Sequence, residues 1–141
     1  ASGTPAFMAP EAALGEPVDA RTDLYALGAV GYWLLTARFV FEAETPYATV
    51  IDHIRKAPVP PSKRTEIPIP EALEQLIMMC LEKDPANRPA SARELAGLLR
   101  EVPLAAQWDD ARAEHWWQLH QPQAIGRMTV HPGEPVATGA L

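Results

Sequence analysis

From Leu24 to Ala37 the chain carries no charged side chain. Within that run, Leu24-Tyr25-Ala26-Leu27-Gly28-Ala29-Val30-Gly31-Tyr32-Trp33-Leu34-Leu35 is apolar on every face of a helix. A helix of that kind belongs inside a domain, with other elements around it. A bilayer needs roughly 20 apolar residues, and this run is shorter and interrupted by two glycines, so a membrane span is not expected. The sequence therefore predicts a mainly α domain built around one central, buried helix. Thr22 is the expected N-cap, and Asp23 suits the positive end of the helix dipole.

Proline sets the rest of the layout. Pro5, Pro10 and Pro17 break any helical pattern over residues 1–22, which read as a loop. Thr45-Pro46 supplies a cap and a first-turn proline, and Tyr47, Val50, Ile51 and Ile54 then form one apolar stripe. Five prolines (58, 60, 61, 68 and 70) make Lys56 to Pro70 an extended connection. A helix opens at Glu71, with Leu73, Leu76, Ile77, Cys80 and Leu81 as its stripe, and Asp84-Pro85 ends it. Ser91 with Glu94 reads as a capping box, ahead of a last helix buried through Leu95, Leu98 and Leu99. Past Pro103 a short helix is expected over about Asp109 to His120, near Trp108, Trp116 and Trp117. From Pro122 on there is no apolar period, and order is not expected.

Hydrophobic residues make up 48% of the 141, enough for a core. The net charge of −6 and three scattered lysines (Lys56, Lys63, Lys83) exclude nucleic acid as a main partner. Cys80 is the sole cysteine, which rules out an internal disulfide and a cysteine-based zinc site and suits a reducing, cytoplasmic setting. It lies on an apolar stripe and reads as a core residue, not a nucleophile. His115 and His120 do not share a helical face as a metal-binding i, i+4 pair would. The tryptophans near the last helix read as docking residues for that helix.

Three separated motifs carry a more specific message. Gly3-Thr4-Pro5-Ala6-Phe7-Met8-Ala9-Pro10-Glu11 resembles the end of the activation segment in eukaryotic-type Ser/Thr protein kinases of bacterial appearance. Asp23-Leu24-Tyr25-Ala26-Leu27-Gly28 is similar to that family's Asp-x-Trp-x-x-Gly, with Tyr25 in place of Trp. Asp84-Pro85-Ala86-Asn87-Arg88-Pro89 resembles its late Arg motif. The resemblance spans about Gly3 to Arg100. It implies the helical C-terminal lobe of a kinase fold, without the β-rich N-lobe or catalytic loop. It also implies that Gly3, Thr4, Pro5 and Met8 shape the substrate pocket, and that Thr4 supports a catalytic Asp outside this chain. Asp23 would steady the catalytic loop. Glu11 and Arg88 would form a structural ion pair, an Arg fork on a carboxylate that fixes a loop's position. The helix after Tyr47 would add docking surface. One departure is Ala37, where the family usually ends the helix with Gly.

No G-x-G-x-x-G, Val-Ala-x-Lys, His-Arg-Asp or Asp-Phe-Gly occurs here, and those motifs hold ATP and Mg²⁺ in the family. Ala1 in place of Met is what a fragment or processed chain would show. The expected organisation is a partial kinase lobe over 1–103, a Trp-bearing extension over 104–121 and a tail over 122–141. The implied function is a piece of a Ser/Thr kinase, inactive alone, whose parent phosphorylates protein substrates using ATP and Mg²⁺. A pseudokinase-like binding scaffold is the alternative, and calorimetry with ATP–Mg²⁺ on the full-length protein separates the two. A free-standing helical module, the third reading, predicts cooperative melting of 1–103, where the kinase reading predicts poor stability.

Overall fold

Caps and prolines cut the chain into the helices seen in the computed structural model, which describes residues 4–104 and 109–120. Gly3, Ser2 and Trp108, and the tail expected from residue 122, lie outside the described residues. The helices are α1 (Pro10–Leu14), α2 (Ala20–Thr36), α3 (Pro46–Arg55), α4 (Glu71–Cys80), α5 (Ala92–Glu101) and α6 (Asp110–His120). Single 3₁₀ turns cover Pro5–Phe7, Pro61–Lys63 and Pro85–Asn87, and no strand occurs among the described residues. The chain divides into two compact units, Ala1–Leu104 and Ala105–Leu141. In the second, α6 stacks His120 on Trp116, four residues earlier, with ring centroids 4.3 Å apart.

Residues 1–22 are not one loop. Pro10 sits at the first position of α1, where its missing N–H costs nothing, and Gly15 closes that helix in the left-handed region (φ 72°). Nor does α2 begin at Thr22. Asp19 is its N-cap, accepting from the Arg21 amide at 2.8 Å, while Thr22 Oγ1 accepts from the Asp19 amide at 3.3 Å. Thr22 thus serves as the third-residue half of a capping box.

The core gathers along one face of α2. Tyr25, Ala29 and Tyr32 are buried with Ala9, Val40, Phe41 and Leu81, while Leu24 joins Cys80 and Leu95 in a second cluster. Gly28 lets α4 come close: a Cβ there would lie 2.6 Å from the Cβ of Cys80. The expectation that α2 is buried all round fails, because Leu27 is 50% exposed and Leu34 is 70% exposed. Among the described residues nothing covers that outer face.

The stripe expected on α3 is only partly inward. Tyr47 is 76% exposed, Val50, Ile51 and Ile54 are half-buried, and the buried positions are Thr49 and His53. Thr49 satisfies its hydroxyl on the Thr45 carbonyl, and His53 finds a tyrosine, so two polar residues occupy the inward face. On α4 the expected stripe is inward, with Leu76, Cys80 and Leu81 buried. At α5, Ser91 Oγ accepts from the Glu94 amide, but the Glu94 carboxylate accepts from Ala90, one residue before the cap.

Candidate functional site

The segment from Thr4 to Glu11 is a short structured loop. The Phe7 amide donates to the Thr4 carbonyl and the Met8 amide to the Pro5 carbonyl, which tightens it into one 3₁₀ turn. Phe7 meets Phe39 edge-on at 5.7 Å, and Ala9, Pro10 and Glu11 are buried behind it. Thr4 is exposed, and Pro5 and Met8 are partly exposed.

The loop's far end is clamped by Arg88. Its two terminal nitrogens donate to Glu11, Nη1 to Oε1 at 2.7 Å and Nη2 to Oε2 at 2.9 Å. The same nitrogens also donate to the carbonyls of Arg21 (2.9 Å) and Lys83 (3.1 Å), and Nε donates to that of Glu82 (2.8 Å). Every guanidinium donor therefore has an acceptor, which is how a charge can be buried without an unpaired N–H. Glu11 accepts a further bond from the Thr22 hydroxyl at 2.9 Å. Burial pushes the Glu11 carboxyl up, but the Arg88 hydrogen bonds, a backbone N–H, the Thr22 hydroxyl and the Arg88 charge together hold it below its ordinary value. One ion pair thus ties α1, the start of α2 and the turn before α5.

A second buried group lies beside the first. Tyr25 and His53 are fully buried, with the tyrosine oxygen 2.7 Å from His53 Nδ1. His53 also meets Phe41 edge-on at 4.9 Å, and its carbonyl accepts from Lys83 Nζ at 2.7 Å. The Arg88 guanidinium lies 4.9 Å from the Tyr25 ring, and Lys83 Nζ 4.7 Å from that of Phe41. Burial, with the Lys83 charge, brings His53 down to about 4. Burial and the Arg88 charge bring Lys83 down to about 8. Burial beside a cationic Lys83 favours a neutral imidazole. Burial also raises the Cys80 thiol to about 11, as expected of a core cysteine.

Beside the loop lies an open cleft of about 390 Å³, walled by Thr4, Pro5 and Ala6 on one side and by Phe39, Phe41, Glu42, Glu44 and Pro46 on the other. Of the residues expected to shape a substrate pocket, Thr4 and Pro5 line it, Met8 does not, and Gly3 is outside the described residues. Glu11 and Arg88 meet across the sequence gap. Asp23 stands apart from both, exposed in the first turn of α2, with no side-chain hydrogen bond among the described residues. The residues that the motifs did not point to are Tyr25 as a hydrogen-bonding residue, His53 and the Phe39–Pro46 wall. The signal for His53 was present: Thr49 and His53 are four apart and interleave with the apolar stripe. Among the described residues no three His, Cys, Asp or Glu side chains group to hold a metal ion. No described helix is long and apolar enough to cross a membrane.

Among the described residues the chain is a strandless helical lobe in which a proline-started loop is tied by a carboxylate to a distant arginine, the arrangement that the kinase resemblance of its motifs implies. Residues 1–97 match the protein kinase domain model, and the chain belongs to that family. It is similar to the Ser/Thr protein kinase PknB of Mycolicibacterium smegmatis, 43% identical over 70% of this chain and 16% of that protein. A probable Ser/Thr protein kinase of Clostridium acetobutylicum is 40% identical over 71% of this chain and 15% of its own length. The Ser/Thr protein kinase PksC of Streptomyces coelicolor is 40% identical over 99% of this chain and 25% of its own. The chain thus spans a quarter or less of the length of these relatives.

Proposed function

We propose that this chain is the substrate-side helical part of a cytoplasmic Ser/Thr protein kinase. The full-length protein transfers the γ-phosphate of ATP to Ser or Thr hydroxyls of protein substrates. The supporting observation is the Glu11–Arg88 fork. It is side-chain buried on both partners and holds the Thr4–Glu11 loop in one place beside an open cleft. Phosphoryl transfer depends on positioning, and a loop anchored this firmly suits the positioning of a substrate chain.

In this reading Gly3, Thr4, Pro5 and Met8 shape the substrate site, with Thr4 supporting a catalytic Asp supplied from outside the chain. Asp23, exposed at the start of α2, is free to brace the loop carrying that Asp. The described residues do not fit ATP and Mg²⁺. They offer no cluster of metal ligands, and the Thr4–Glu11 segment carries prolines at 5 and 10 where a phosphate cradle needs free amides. In this reading nucleotide handling belongs to parts of the full-length protein that this chain does not include, and the chain alone is inactive.

The test is phosphate transfer from labelled ATP to Ser/Thr peptides, run with the full-length protein and with the 141-residue chain. Transfer by the first only is the expected result. Absence of transfer by the full-length protein, or equal transfer by the chain, overturns the reading.

A further inference from the structure

His53 takes no part in the function proposed above, yet it is fully buried and bonded at one nitrogen only. Its Nε2 makes no hydrogen bond among the described residues. A buried unpaired polar atom in an otherwise satisfied cluster calls for an explanation. The proton count narrows the choices. If Nδ1 carried the hydrogen and donated to Tyr25, the tyrosine hydrogen would lack an acceptor and Nε2 would be a bare lone pair. If the Tyr25 hydroxyl donates to Nδ1, the hydrogen sits on Nε2 and only that one N–H awaits a partner. The second arrangement leaves fewer groups unsatisfied. α3, which carries His53, packs directly against the Pro5–Phe7 turn, and the Ala6 backbone of that turn is the group on the loop that acts on the His53 ring.

We propose that His53 is a positioning residue for the Thr4–Met8 loop, held at Nδ1 by the Tyr25 hydroxyl and presenting Nε2–H to the Ala6 carbonyl as a latch. Three neighbours hold the ring for that purpose. Tyr25 and Phe41 meet it edge-on at 5.6 and 4.9 Å, and Lys83 holds the backbone of the same residue through its carbonyl. The latch runs from α2 through α3 to the loop, so the loop is held at Ala6 as well as at Glu11. A single anchor at Glu11 leaves the exposed Thr4 end free to swing, whereas two anchors fix its direction. The substrate role of the loop rests on the function proposed above; the latch itself does not.

The test separates the two ring nitrogens. A glutamine reaches about as far as Nε2 and an asparagine about as far as Nδ1. In the 141-residue chain, hydrogen exchange of the Phe7 and Met8 amides is expected to speed up about tenfold or more in His53→Asn and to stay within about threefold in His53→Gln, with the Leu95–Leu99 amides of α5 unchanged in both. In the full-length protein His53→Asn is expected to raise the peptide KM about fivefold, leaving kcat and the KM for ATP within about twofold. Unchanged Phe7 and Met8 exchange in His53→Asn overturns the latch. So does equal acceleration in both variants together with α5, which is the mark of a merely loosened core. An active full-length protein whose peptide KM is unmoved overturns it as well. If His53→Asn does not fold, Tyr25→Phe replaces it: losing the donor that sets the tautomer must speed the same two amides, and unchanged exchange overturns the latch. A split in loop exchange in a protein that phosphorylates nothing supports the latch and removes the kinase reading instead.

Discussion

Arg88→Lys keeps the charge and removes the fork, so it asks whether Glu11 is held by charge or by geometry. Arg88 makes hydrogen bonds to both Glu11 oxygens and to the carbonyls of Arg21, Glu82 and Lys83. An ammonium has three donors, so at least two of those acceptors lose a partner. Each buried acceptor left unsatisfied costs about 1–3 kcal/mol, which gives roughly 2–6 kcal/mol for the substitution although no charge is lost. Arg88→Met leaves the Glu11 carboxylate without its partner and is expected to cost roughly 3–5 kcal/mol. Glu11→Gln combined with Arg88→Met buries no unpaired charge, so the double variant must be less destabilised than the sum of the singles by about 2 kcal/mol or more. The measurement is urea unfolding of the 141-residue chain, followed by circular dichroism in a stabilising osmolyte that secures the folded baseline. Arg88→Lys within about 0.5 kcal/mol of wild type, with additive singles, refutes the claim that the fork's geometry holds the loop.

The helix end at Ala37 gives a prediction of opposite sign. Ala37 has φ 54°, a left-handed conformation that costs an L-residue with a Cβ about 1–2 kcal/mol relative to Gly. The extra freedom of Gly in the unfolded chain takes back about 0.4–1 kcal/mol, so Ala37→Gly should stabilise by roughly 0.5–1 kcal/mol; a lower urea midpoint argues against this. Gly28→Ala should destabilise by about 1–3 kcal/mol, because the added Cβ meets Cys80 at 2.6 Å and α4 has to move; a neutral effect shows that α4 yields easily. Two groups set the acid limb of stability. His53 falls from 6.5 to about 4 on folding, so the unfolded chain binds the extra proton in that window and stability is lost as pH drops through it. Glu11, lowered on folding, contributes stability that is present above its unfolded value of 4.5 and is lost further down, as pH falls through its folded pKa. Denaturant midpoints between pH 7 and 3 should show both losses in wild type and only the second in His53→Gln. An unchanged slope from pH 6.5 to 4 in that variant rules out His53 as the source.

Which parts of this molecule were legible in the sequence follows from how local the controlling interaction is. α4 was readable because its inward residues, Leu76, Cys80 and Leu81, belong to one apolar stripe, and Pro70 marks its start. The start of α2 was misplaced because Asp19 and Thr22 are both good capping residues. The deciding interaction is the Thr22 hydroxyl's bond to Glu11, eleven residues away, which fixes Thr22 inside the helix. For α3 the error has one cause: apolar periodicity assumes that the inward face is the greasy one. Here His53 is inward because it partners the buried hydroxyl of Tyr25. A buried phenol needs a hydrogen-bond partner, and His53 Nδ1 supplies the acceptor. The tyrosine and the histidine therefore explain each other, and neither explains itself. The same reasoning limits what the motifs gave. Gly-Thr-Pro and Ala-Pro-Glu mark where the loop begins and ends, while His53 comes from α3, a helix that no motif names. Replacing Tyr25 with Phe would keep the aromatic packing and strip Nδ1 of its donor. On the latch argument that change loosens the loop although it leaves the apolar core intact.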